Sequence, residues 1–200
     1  MSQQELYEKT VELIDAANSE DPNIENDNGQ EVAKELLYGL RMSDMIERYA
    51  PEADAVQKIS VRAQHIQRWK SPRSDYSMDR KGYHQWRTNL YKFHANTTAE
   101  LMQQAGYDND SIERVKLAIG KKNVKSNPDT QMLEDVAALV FIEHYMLDFA
   151  TKHPEYEEAK WIDIIRKTWR KMSERGQQFA LNNGVQLPEP LIPLIQKSVS

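Results

Sequence analysis

Residues 133–149 read LEDVAALVFIEHYMLDF, and this stretch decides the fold. Its apolar residues recur around every side of a 3.6-residue turn instead of alternating with period 2. That pattern marks a helix buried at the centre of a helical core. Asp135 falls near the start of this helix, one turn from Leu139, where a carboxylate gains from the N-terminal dipole. His144 shares a stripe with Leu133, Ala137, Val140 and Leu147 and is expected to be a core histidine. Its neighbour Glu143 should point about 100° away around the helix.

Working outward, the spacing predicts seven helices. The first, over 3–18, aligns Leu6, Leu13, Ile14 and Ala17; the acidic stretch SEDPNIENDNG then interrupts the chain. A second over 30–49 presents Val32, Leu36, Leu37 and Leu40. A third over 53–69 carries two stripes, Val56–Ile59–Ala63–Ile66 and Val61–His65–Trp69, so it packs on both sides and His65 lies in a partly buried seam. A connection with Pro72 and Gly82 leads to a fourth helix over 83–105, ended by Gly106. Asp108 or Asp110 caps the fifth, which holds Ile112, Val115 and Ile119. After the polar link KKNVKSNPD come the sixth over 130–150 and a seventh over 155–182, which aligns Ile162, Ile165, Trp169, Met172 and Phe179. Residues 184–200 contain LPEPLIPLIQ and are expected as an extended apolar tail along the surface. The reading is one all-α domain over 1–200.

Two hundred residues can bury a sizeable core. No apolar run reaches the roughly 18 residues of a membrane span, and the N-terminus MSQQELYEKT has no signal-peptide pattern. The chain has no cysteine, which excludes disulfides, thiolate metal sites and a cysteine nucleophile. A cytoplasmic protein with no membrane partner is the expectation. The net charge of −5 conceals a segregation. Residues 1–61 carry 14 acidic and 5 basic side chains, whereas 62–92 carry 8 basic and 2 acidic ones. A basic belt inside an acidic chain suits a small anionic ligand better than a nucleic acid, although it would also serve as a face paired with the acidic N-terminal third.

Buried polar residues are the informative ones, because burying them unpaired costs several kcal/mol. His65, His94 and Asp135 come from three separate helices and form the kind of ligand set a helical bundle offers a divalent metal such as Mn, Mg, Fe or Zn. The alternative is three satisfied polar groups of the core. Arg68, Arg73, Arg80 and Arg87 are the candidates for bidentate binding of a phosphate. There is no G-x-S-x-G elbow, no P-loop and no H-E-x-x-H.

The order of a histidine (His65), a second about thirty residues on (His94) and a later acid (Asp135) resembles the histidine–aspartate (HD) phosphohydrolase superfamily. Those are helical, metal-dependent hydrolases of phosphate esters. Ala95 stands where that family's paired aspartate, a central metal ligand, would be. A resemblance over nearly the whole chain rests on ELLYGLRMSDMIER, RAQHIQRWKSPRSDY, GYHQWRTNLYKFHA, AGYDNDSIERV and TQMLEDVAALVFIE. These are similar to the family known as domain of unknown function 4202, which brings no established reaction. Two functions are therefore expected: a module that binds a phosphate-bearing small molecule without catalysis, or a metal-dependent phosphohydrolase of HD-like type.

Overall fold

The 133–149 stretch is helical at the centre of the protein, but in two pieces. In the computed structural model, which describes residues 1–124 and 126–199, α6 spans Pro128–Val140 and α7 spans Met146–Lys152. A wider π turn, Phe141–Tyr145, joins them. Lys125 of the expected polar link and Ser200 of the expected tail lie outside the described residues. α6 starts on Asn127, whose side chain accepts from the backbone of Asp129 and Thr130, with Pro128 in the first turn. Leu133, Val136, Leu139 and Val140 are buried.

Around α6 stand α1 (Gln3–Ser19), α2 (Lys34–Tyr49), α3 (Ala55–Arg62), α4 (Arg80–Ala105) and α5 (Asn109–Ile119). α3 packs against α1, α2, α5 and α6, with Val56, Ile59 and Val61 buried, although Ala63, His65, Ile66 and Trp69 of its two expected stripes lie beyond the helix. It ends seven residues earlier than its periodicity suggested. A tight turn over 63–67, with Gln67 at φ 49°, takes the place of its last two helical turns. Local chemistry sets the other ends. Ser2 with Glu5 and Asp54 with Gln57 form capping boxes for α1 and α3, Asp79 caps α4, and Gly106 at φ 109° closes it. Asp108, not Asp110, caps α5 by accepting from the Ser111 N–H.

Ten α-helices occur among the described residues, against the seven expected. The sixth is divided by the π turn, and the seventh is divided into α8 (Glu158–Trp169) and α9 (Glu174–Phe179), the latter restarted by the Ser173 cap. The tail supplies the tenth. Its extended conformation reaches only to Pro188, and α10 spans Ile192–Val199 and lies against α8 with Ile195 buried. Pro193 falls in the first turn of α10, where its missing N–H costs nothing. β1 (Ile24–Asp27), in the acidic stretch, and β2 (Gln30–Ala33) form a hairpin across Asn28–Gly29, both at positive φ. β2 takes the place of the first turn of the expected second helix, so that Val32 lies in a strand and α2 begins only at Lys34. The hydrophobic core takes in residues from Ile14 to Ile195. Among the described residues no helix is long and apolar enough to cross a membrane.

Candidate functional site

The buried face of α2 runs through Glu35, Gly39, Met42, Ile46 and Tyr49, a helical spacing with a carboxylate at its head. Glu35 and Tyr38 therefore face inward, and Lys34 stands at the rim beside them. The turn after α3 faces this helix start and is held in place by Asn18, whose side-chain oxygen accepts from the Gln67 N–H at 2.9 Å. The turn presents His65, the Ile66 carbonyl and Arg68. Arg87, Tyr91 and His94, spaced i, i+4, i+7 on α4, approach from another side. Lys121, at φ 52° just past α5, closes the group.

His65 and Arg68 border two adjoining spaces. One is a cleft of about 280 Å³ whose aromatic side is Tyr38, Phe141 and Tyr145 and whose rim is Lys34 and Arg68. Its size is near the lower end for small-molecule sites. The other, about 30 Å³, lies among Arg68, Arg87, Lys121 and His94 and has room for one water-sized group.

Hydrogen bonding fixes the histidine tautomers. Arg68 Nη1 donates to His65 Nε2 at 3.0 Å, so the ring proton is on Nδ1, which faces Glu35 Oε2 at 3.5 Å. The ring stacks on Tyr38 at 4.1 Å. His94 Nδ1 donates to the Ile66 carbonyl at 2.8 Å, leaving a bare lone pair on Nε2. Burial, reinforced by the charges of Arg68, Lys121, Arg87 and Lys34, pushes His65 well below the usual imidazole range. Burial and then the neighbouring His65 push His94 down to about 3. Both rings are neutral at pH 7. Burial pushes the Glu35 carboxyl up to about 7, opposed by Arg68 and Lys34.

The structure brings together only part of the expected site. His65 and His94 are neighbours, with ring centroids 6.0 Å apart. Asp135 is not with them. Its Oδ1 accepts from the Ser173 N–H at 2.7 Å and from Gln131 at 2.9 Å, and its Oδ2 accepts from the Tyr49 hydroxyl at 2.7 Å and from the Ser173 hydroxyl. Among the described residues no three His, Asp or Glu side chains are placed to hold a metal ion. The donor set does not fit a divalent cation. His65 Nε2 faces Arg68, Asp135 is fully engaged elsewhere, and the space beside His94 is ringed by cations.

The four arginines also divide. Arg68 and Arg87 border the small space, and Arg68 also lies over the Trp86 ring. Arg73 is turned onto the carbonyls of Tyr76, Ser77 and Asp79 and ties its own loop together. Arg80 is not in that loop. It sits exposed in the first turn of α4, with Nε 3.4 Å from His84. Part of the basic belt is paired internally, since buried Arg62 makes a bidentate contact with Asp15. His144 is not a core residue. It lies in the π turn, with Nε2 3.0 Å from Oε1 of Glu143, the neighbour expected to point away from it, and its side chain is 29% exposed.

Glu35, Tyr38 and Lys121 were absent from the sequence-derived site. A signal existed for Glu35, which shares a helical face with Met42 and Ile46; Leu36 and Leu40 had drawn the stripe one position away, and Leu40 is exposed. For Lys121 there was none, because a left-handed residue after a helix has no pattern of its own.

No curated protein and no solved structure matches the chain. One family model does, over residues 8–195. By that match the protein belongs to the family described as Domain of unknown function (DUF4202).

Proposed function

We propose that the protein binds a small phosphate-bearing molecule at this site. The phosphoryl group is held by Arg68, Arg87 and Lys121, and the uncharged part lies against Tyr38, Phe141 and Tyr145. The observation that carries the reading is the partnering of the two arginines. Arg68 is bonded to neutral His65, and Arg87 to the hydroxyls of Tyr83 and Tyr91; neither has a carboxylate partner among the described residues. A guanidinium has five donors, so most of each fork is left for a ligand, and its planar geometry matches a phosphate bidentately. Lys121 is shared with Glu134, and its ammonium lies 5.5 Å from the centre of the Tyr91 ring.

Thermal melting with millimolar phosphate, pyrophosphate and nucleoside monophosphates tests this, because a ligand that binds the folded state raises the midpoint. All three are expected to raise it, the nucleotides most, and Arg68→Ala is expected to remove the shift. A wild-type midpoint unmoved by all three overturns the reading.

A further inference from the structure

The small space beside His94 has a donor–acceptor pattern that goes beyond a preference for negative charge. His94 is 2% exposed, and its Nε2 has no hydrogen-bond partner among the described residues. The Ile66 carbonyl can only accept, so Nδ1 carries the ring proton and Nε2 is an acceptor. The charged groups facing this space, Arg68, Arg87 and Lys121, are donors without acceptor capacity. The other acceptors nearby are engaged: Gln64 Oε1 accepts from the Tyr38 hydroxyl at 2.9 Å, and the Tyr91 hydroxyl is bonded to Arg87.

We infer that His94 makes the site selective for an oxyanion that carries a hydroxyl, such as a protonated phosphate, whose O–H enters the small space and donates to Nε2 while its other oxygens accept from the cations. The space of about 30 Å³ admits one such oxygen and not the whole phosphoryl group. A fully deprotonated oxyanion of the same shape satisfies the three cations equally well but sets an oxygen lone pair against the Nε2 lone pair. That leaves a buried acceptor unpaired, which costs more than an ordinary hydrogen bond contributes. His94 is thus a specificity residue in the proposed phosphate site, and the inference rests on that reading.

Calorimetric titration of the wild-type protein with phosphate, arsenate and sulfate, at about pH 6 where phosphate and arsenate keep a proton, separates the two ideas. Phosphate and arsenate are expected to bind about tenfold or more tightly than sulfate. His94→Asn keeps a donor to the Ile66 carbonyl and deletes Nε2, so the preference should shrink to about threefold or less. Equal wild-type affinities overturn the role of His94 and leave the anion site standing, whereas no binding of any of the three removes both. A preference that survives in His94→Asn also overturns it. Should that variant not fold, nitrogen-15 NMR of the wild-type ring decides: the Nε2 resonance should move with phosphate and not with sulfate, and an unmoved resonance sinks the proposal.

Discussion

Arg68 donates to His65 Nε2 at 3.0 Å, on the side of the ring opposite Glu35. The three side chains form a line, carboxyl to Nδ1–H and Nε2 to guanidinium, in which the imidazole can only be neutral. Replacing Arg68 by alanine removes both the donor and the strongest of the charges that oppose a proton on His65. The His65 pKa is therefore expected to rise, measured by NMR titration of its ring proton. Phosphate affinity should fall at least about tenfold in the same variant. An unchanged His65 titration would show that burial alone holds it neutral.

Glu35 makes stability depend on pH in the sense opposite to an ordinary carboxylate. Its folded pKa of about 7 lies above the usual 4.5, so between those values the folded state holds a proton that the unfolded chain has released. Stability from this group is full below about 4.5 and is lost as pH rises through 7. Glu35→Gln keeps the shape and removes the titration. Relative to wild type it should gain about 1–3 kcal/mol between pH 5 and pH 8, read as the difference of denaturant-unfolding free energies. A difference that stays flat across this range refutes a neutral buried Glu35.

Arg80 and Arg87 lie on one helix, seven residues apart, and test which part of the basic belt matters. Arg87 borders the space beside His94, whereas Arg80 is exposed in the first turn of α4, where a cation gains nothing from the helix dipole. Arg80→Ala should leave phosphate affinity unchanged and alter stability by no more than about 0.5 kcal/mol. Arg87→Ala should cost about tenfold or more in affinity. Equal losses in both would point to a diffuse field over the whole segment, not to a site.

The architecture was largely readable because most helices obey one rule along their length. Period-3.6 stripes placed α1, α4 and α5; they found α2 but set its buried face one position away and its start one turn early, and they carried α3 two turns past its end. Breaks inside helices were not readable. Nothing in VFIEHY announces a π turn, since a wider turn changes hydrogen bonding without changing composition, and the contact between Glu143 and His144 lies inside it. The site was half legible for a related reason. His94 is a polar residue on a buried helical face and His65 follows the end of α3 in a turn packed against the core, and both stood out as polar residues in locally apolar surroundings. Whether Asp135 shares their space depends on where α6 starts relative to α3 and α4, and spacing along one helix does not carry that information.

Asp135 instead holds α9 against α6 and the end of α2. Ser173 both caps α9, by accepting from the Gly176 N–H at 3.2 Å, and donates from its own N–H and hydroxyl to Asp135. Gly176 is what allows this approach, for a Cβ there would stand 3.1 Å from the Asp135 carboxyl carbon. Asp135→Asn replaces one acceptor oxygen with a donor, so two of the four hydrogen bonds that converge on the carboxylate face a group that cannot accept them. Hydrogen bonds to a charged group contribute about 1.5–3 kcal/mol each, and the variant should lose about 3 kcal/mol in all. For a chain of this length that lowers the melting midpoint by about 6–12 °C. The loss should be the same with chelator and with added Mn²⁺, because the partners of Asp135 are protein groups. Melts of wild type and variant in both conditions check it. A loss confined to the Mn²⁺-loaded sample would assign Asp135 to a metal after all, and the latch between α6 and α9 would then be secondary.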